Sequence, residues 1–171
     1  MSDSEQHPSQ AVSRIHFKAL KNPVVCLAVG FGSGLSPKAP GTAGTLVAVP
    51  FFLFMQNLPL LTYALITLLI TVLGIWICSY SAQKLGVHDH PGIVIDEVAG
   101  FLITMFAAPD GWQWIVAGFI LFRFFDALKP WPISWLDKNI AGGFGIMIDD
   151  VAAGLVSMLL LQAYWYWFVQ I

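Results

Sequence analysis

The chain has 171 residues, enough for one domain, with 57% hydrophobic residues, only 11% charged residues and a formal net charge of −2. A mean hydropathy of +0.74 exceeds that of a soluble domain and points to an integral membrane protein. The small net charge, with no basic stripe interleaved with aromatics, speaks against nucleic acid as a partner, and Cys26 and Cys78 lack C-x-x-C spacing. Both cysteines read as small packed hydrophobes rather than a disulfide or a zinc site.

Residues 1–22 are polar, with Asp3 and Glu5 ahead of Arg14, Lys18 and Lys21, and read as a cytoplasmic leader to a membrane domain over residues 23–171. The apolar run 24–31 is short, broken by Gly30 and without a small-residue cleavage site. It reads as a membrane-surface segment of the mature chain, not a signal-peptide core. Five apolar helices are then expected, near 43–55, 58–83, 93–107, 112–128 and 146–168, separated by breakers at 57–59, 86–92, 109–111 and 130–145. The second and fifth reach the roughly 20 residues a spanning helix needs; the first and third are short enough to be tilted, re-entrant or half-buried against neighbours. The expected fold is an all-α, polytopic membrane bundle of about four to five apolar helices.

Charge orients that bundle. The turns at 57–59 and 109–111 carry one charge, Asp110, whereas Lys21, Lys38, Lys84, Arg123, Lys129 and Lys138 lie at or near the opposite helix ends. The positive-inside rule assigns the lysine-rich end to the cytoplasm, and Trp165, Tyr166 and Trp167 to the far interface as an aromatic anchor. The polar motifs then converge on the cytoplasmic face: the Lys38 loop, Asp89, Asp96-Glu97, Arg123/Asp126/Lys129 and Asp149-Asp150.

The acids are out of place by composition. Asp96-Glu97, Asp126 and Asp149-Asp150 each follow aliphatic or aromatic residues. One charge at mid-bilayer costs about 2.5–3.5 kcal/mol on insertion scales. Five unpaired charges would exceed what most folds can spare, so these must lie near the surface, pair with cations or share a metal. Ile93-Val-Ile-Asp-Glu-Val-Ala-Gly100 and Ile146-Met-Ile-Asp-Asp-Val-Ala-Ala-Gly154 are near-copies, each placing an acid doublet near a helix start. Helix capping accounts for one acid per helix. Carboxylates from two facing helices also build metal sites in bundles, and hard oxygen ligands suit Mg²⁺ or Mn²⁺.

Arg123, Asp126 and Lys129 recur every three residues, presenting cation, anion and cation on one helical face before Pro130. This is either a snorkelling salt-bridge ladder or a phosphate-binding face, the latter suited to the planar fork of Arg. The loop Gly32-Ser-Gly-Leu-Ser-Pro-Lys-Ala-Pro-Gly-Thr-Ala-Gly-Thr45 offers hydroxyls at Ser36, Thr42 and Thr45, the Lys38 charge and free backbone N–H groups at a helix start, a pattern that favours anions. It is neither a Walker A motif nor a dinucleotide fingerprint. In His88-Asp89-His90 the Asp is the better candidate for the site. D-x-D-G-T, Cys-x5-Arg and D-G-x2-A-R patterns are missing, and histidines occur only at 7, 16, 88 and 90, which removes several other phosphotransfer chemistries. A cation transporter would hold its acids near the bilayer midplane, and a structural membrane protein would not need the Arg/Asp/Lys face.

These four motifs, with Phe122-Arg-Phe-Phe-Asp-Ala-Leu-Lys-Pro-Trp-Pro-Ile133 and Gly142-Gly-Phe-Gly leading into the second doublet, resemble the phosphatidylglycerophosphatase A family over nearly the whole chain after about residue 22. The resemblance implies Mg²⁺-dependent removal of the terminal phosphate of phosphatidylglycerophosphate, giving phosphatidylglycerol, at the cytoplasmic leaflet of a bacterial inner membrane. On that reading Asp89, Asp96, Glu97, Asp149 and Asp150 hold Mg²⁺, with Asp126, Asp96, Asp149 and Asp150 as the catalytic acids. Ser36, Lys38, Thr42, Thr45, Arg123 and Lys129 bind the substrate, and no protein partner is expected. Which acid is nucleophile, base or ligand stays open.

Overall fold

Helices α1 (Pro23–Ala28), α2 (Pro40–Met55), α3 (Leu60–Leu85), α4 (Ile95–Thr104), α5 (Trp112–Leu128), α6 (Ile133–Asn139) and α7 (Gly142–Phe168), with 3₁₀ segments at Phe17–Lys21 and Gly30–Leu35, make up the regular structure. The structure is a computed structural model that describes residues 15, 17–87 and 89–168. Most of the expected leader, the flanking His88 and residues 169–171 lie outside the described residues. All described regular structure is helical, as expected, and each of the five expected apolar segments is a helix.

Local chemistry sets the helix ends. Asn22 caps α1, its side-chain oxygen accepting from the Val24 and Val25 N–H groups, with Pro23 in the first helical position. Pro40 opens α2 in the same way. Gly86 closes α3 in the left-handed conformation, φ 69°, its N–H donating to the carbonyls of Ala82 and Gln83.

Two elements depart from the sequence reading. The 130–145 region contains the short helix α6, and α7 starts at Gly142, four residues before the expected start at 146. Asp149 and Asp150 are therefore the eighth and ninth residues of α7, two turns in. The helix-terminal field fades within the first turn, so capping does not explain this doublet. The α4 doublet does lie in the first turn.

At ten residues, α4 is about 15 Å long, half of a hydrocarbon core. It lies at the centre of the bundle, packed by α2, α3, α5 and α7, with eight residues buried. At its C-terminal end side-chain donors are supplied: the Tyr63 hydroxyl donates to the Leu102 carbonyl at 2.7 Å and, just past the helix, the Gln162 amide donates to the Phe106 carbonyl at 2.8 Å. A helix that ends inside an apolar bundle needs such donors, since water is not there to supply them.

The outer helices are apolar on their exposed faces. Leu61, Leu65, Leu68, Leu69 and Val72 of α3, Ile120 of α5 and Leu159 of α7 are all more than half exposed. Among the described residues, only α3 and α7, with 26 and 27 residues, are long and apolar enough to cross a membrane by length and composition.

The α4–α7 contact depends on two glycines, one at the end of each repeated acid motif. A β-carbon on Gly154 would stand 2.5 Å from the Gly100 carbonyl oxygen, and one on Gly100 2.8 Å from the Asp150 carbonyl oxygen. Only hydrogen fits at this crossing, which brings the two backbones close enough for the acid doublets to meet. Gly154→Ala should therefore lower the thermal unfolding midpoint in detergent, in line with the roughly 1–3 kcal/mol cost of overpacking, whereas Leu159→Ala on the exposed face should change it little. An unaltered midpoint for Gly154→Ala would contradict the close crossing.

Candidate active site

The carboxylates converge on one cavity of about 350 Å³ at the end of the bundle where α2, α4 and α7 begin and α5 ends. Its walls include Asp89 from the loop before α4, Asp96 and Glu97 from the first turn of α4, and Asp126 from the last turn of α5. Asp149 and Asp150 of α7 complete the acids, Arg123 and Lys129 supply cations, and Ala39, Pro40 and Gly41 contribute the start of α2. Among the described residues, six acids face two cations here.

Consecutive residues on a helix point about 100° apart, and this divides the α7 doublet. Asp150 turns toward α4, where one oxygen each of Asp96, Glu97 and Asp150 lie within 4.8 Å of one another. Asp149 turns toward the end of α5 and accepts a hydrogen bond from the Lys129 ammonium. Of the five acids expected to share the ion, Asp96, Glu97 and Asp150 form a cluster of three, Asp149 pairs with Lys129, and Asp89 lines the same cavity.

Asp96 Oδ1, Glu97 Oε2, Asp149 Oδ1 and Asp150 Oδ2 are buried without a hydrogen-bond partner. Burying ionised carboxylates without compensation is among the costliest arrangements a fold can contain. Oxygens on opposite sides of a Mg²⁺-sized ion are about 4.2 Å apart, twice the usual metal–oxygen distance. Three carboxylate oxygens within 4.8 Å of one another need only small side-chain shifts to share such an ion, and the donor set is entirely hard oxygen. The cluster can hold a metal ion.

Arg123 bonds Asp126 one helical turn on, and its guanidinium lies 3.8 Å from Glu97 Oε1. Lys129 does not continue this ladder. It is the C-cap of α5, in the left-handed conformation at φ 42°, so its side chain leaves the helix face and bridges Asp149 to Asp137 of α6, at 2.6 Å. Burial acts against the Lys129 ammonium, but the hydrogen bonds to Asp137 and Asp149 outweigh it and hold its pKa above the ordinary lysine range.

The glycine-rich loop reaches the cavity through its last turn. Gly41 packs directly against Glu97 and Arg123, where a β-carbon would collide with both. Gly41, in the first turn of the 16-residue helix α2, lies at this wall, at the positive end of that helix. Ser36, Lys38, Thr42 and Thr45 are not among the lining residues. The Ser36 hydroxyl donates to the Lys38 carbonyl, the buried Thr45 hydroxyl donates to the Gly41 carbonyl, and Lys38 is exposed. His90 is buried and its Nδ1 accepts from the Gly92 N–H, shaping the loop that carries Asp89. Asp137 has no signature in the sequence beyond its charge; only α6, hidden in a stretch of breakers, brings it to Lys129.

The sequence family described as phosphatidylglycerophosphatase A matches residues 26–165. The chain is 50% identical to the Escherichia coli protein named phosphatidylglycerophosphatase A, over 89% of this chain and 87% of that one. It is 43% identical to the Haemophilus influenzae protein of the same name, over 96% and 98%. A Bacteroides thetaiotaomicron protein provisionally named phosphatidylinositol-3-phosphatase is 41% identical over 80% of this chain and 90% of its own length. No solved structure matches the chain.

If the three-carboxylate cluster takes a cation, Mg²⁺ or Mn²⁺ at about 100 times its dissociation constant should stabilise the folded protein by about 2.7 kcal/mol, read as a higher thermal midpoint in detergent. Asp150→Asn should raise the midpoint in chelator, by removing repulsion, and lose most of the metal-dependent increase. A wild-type midpoint indifferent to both cations would contradict the metal site.

Proposed function

This chain belongs to the phosphatidylglycerophosphatase A family, and we propose that it hydrolyses the terminal phosphomonoester of phosphatidylglycerophosphate, with Mg²⁺, at the cytoplasmic face of a bacterial inner membrane. It is a lipid phosphatase. The observation that carries the reading is the convergence, in one cavity, of an unpartnered acid cluster with Arg123, Lys129 and the start of α2. A phosphomonoester needs both halves of that arrangement: cations and N–H groups for its own charge, and acids that can hold a counter-ion against it.

Asp96, Glu97 and Asp150 would hold Mg²⁺, with Asp149 and Asp89 beside them; when bound, the ion supplies Lewis-acid polarisation of the phosphoryl oxygens. Arg123 and Lys129 neutralise the charge on the equatorial oxygens as the bond to the leaving group stretches. The Gly41 N–H, at the start of α2, adds a dipole that needs no counter-charge, and Thr42 follows it in the same turn. Ser36, Lys38 and Thr45 serve by shaping this loop and, for Lys38, by drawing the anionic headgroup to the mouth. Asp126 is placed by Arg123 to take the proton from the attacking water. As water adds to phosphorus, the bond to the glycerol oxygen breaks; that oxygen takes a proton from solvent to become the hydroxyl of phosphatidylglycerol, and Asp126 returns its own proton to solvent.

The membrane placement belongs to the same reading, with residues 23–171 as the membrane domain. The apolar outer faces of α2, α3, α5 and α7 lie against lipid, and α4 is enclosed by them as a half-length helix carrying the site. The turns that contain Leu58 and Asp110 line one small pocket, which supports their lying together on the far side. Lys84, Lys129 and Lys138 lie at the end that holds the acids. The acyl chains stay in the bilayer, and only the headgroup travels to the cavity.

Purified protein in mixed micelles should release inorganic phosphate from phosphatidylglycerophosphate only when a divalent cation is added, and more readily than from phosphatidylinositol-3-phosphate. Asp96→Asn should lower turnover by more than the 10- to 100-fold typical of removing a group that only supports a metal ligand. Arg123→Lys keeps the charge but loses the planar fork, and should lower kcat/KM by about 10- to 150-fold. Lys84→Ala, at an exposed interfacial position, should change it little. Full activity in chelator, or equal losses for Arg123→Lys and Lys84→Ala on a short-chain soluble substrate, would overturn the proposal.

A further inference from the structure

Helix α6 is only seven residues long, yet it is anchored and aimed. Ile133, at its start, is 1% exposed, and Asp137 follows four residues later on the same helical face, while Trp135 lies on the opposite, exposed face. The buried Ile133 fixes the helix against α7 and thereby brings Asp137 to the Lys129 ammonium, at 2.6 Å. Lys129 and Asp149 line the cavity; Asp137 does not. The carboxylate thus supports the lysine from outside the cavity.

The ammonium has three donors. One goes to Asp137 and one to Asp149, leaving a third for another acceptor. Without Asp137, the strongest attraction on Lys129 would come from Asp149 and the acid cluster behind it, drawing the charge inward and away from the mouth. The backbone cannot compensate, because Lys129 is fixed as the α5 C-cap, its N–H bonded to the Phe125 carbonyl at 2.8 Å, and Pro130 follows.

We infer that Asp137 is a positioning residue, which holds the Lys129 ammonium at the cavity mouth with one donor directed to a phosphate oxygen of the substrate. This rests on the phosphatase reading above and deepens it: α6 becomes a working part of the site, acting through Lys129 and not on the substrate. The Lys129–Asp137 contact is exposed, and an isolated pair of that kind could be lost with little effect; this one shares its ammonium with the buried Asp149, so its loss is felt at the cavity.

The test is a double-mutant cycle on the full chain in detergent with saturating Mg²⁺. Asp137→Asn should lower kcat/KM for phosphatidylglycerophosphate about 10-fold, the lower end for loss of a charge-assisted hydrogen bond, and Asp137→Glu should restore most of it. In a Lys129→Met background the same Asp137→Asn change should have no further effect. The affinity for inorganic phosphate, measured by titration calorimetry, should fall in parallel for Asp137→Asn, while the Mg²⁺-dependent thermal shift stays as in the unsubstituted protein. Undiminished kcat/KM and phosphate affinity in Asp137→Asn, or an equal loss in the Lys129→Met background, would overturn the inference. An unsubstituted protein that binds phosphate but releases none from the lipid would refute the phosphatase reading instead, and the phosphate affinities would still decide the role of Asp137.

Discussion

Carboxylates repel one another, and burial away from water makes that repulsion expensive. Asp96, Glu97 and Asp150 are nevertheless packed together at the crossing of α4 and α7, each with an oxygen that no protein group bonds. Arg123 and Lys129 offset part of the charge through Asp126, Glu97 and Asp149. The cluster itself keeps its unpartnered oxygens, and it can hold a cation. Breaking a buried charge pair generally costs several kcal/mol because it strands the other charge, so a cluster built without its counter-charge is a strong constraint on everything around it.

The rest of the bundle meets that constraint. Gly100 and Gly154 let α4 and α7 approach until the doublets face each other. The shortness of α4 keeps the acids at one end while Tyr63 and Gln162 satisfy its other end inside the apolar interior. Gly41 allows the start of α2 to lie on Glu97 and Arg123, so the glycine-rich loop presents the backbone of Gly41 to the cavity, not a large side chain. The repeated motif, aliphatic residues then two acids then small residues and glycine, is legible as one device used twice: acids to bind, glycine to let the partner helix close in.

The helical layout was readable in the chain because long apolar segments leave few alternatives. Apolar segments between glycine, proline and asparagine breakers located all five long elements, and charges inside such segments had few explanations. The failures have physical causes. Four residues, Gly142-Gly-Phe-Gly145, open α7 although three are glycines, because tertiary packing overrides their low helix propensity; Gly143 lies directly on the Ile75 carbonyl and Ser79 of α3. Period-three spacing placed Lys129 on a helix face, but the chain leaves the helix there, ahead of Pro130, and the side chain turns to α6 and α7. The Ser36 and Thr45 hydroxyls, expected to meet phosphate, donate here to nearby backbone carbonyls, which is a local bond the sequence pattern does not show. Asp137 had no periodic or motif context at all, and only three-dimensional proximity to Lys129 singles it out.

The central claim is that one divalent cation is held where α4 and α7 cross. Anomalous diffraction from crystals of the Mn²⁺-loaded protein tests it most directly. The account predicts a strong peak within coordination distance of Asp96, Glu97 and Asp150. A manganese peak bound away from that crossing, or no peak at saturating Mn²⁺, would contradict it.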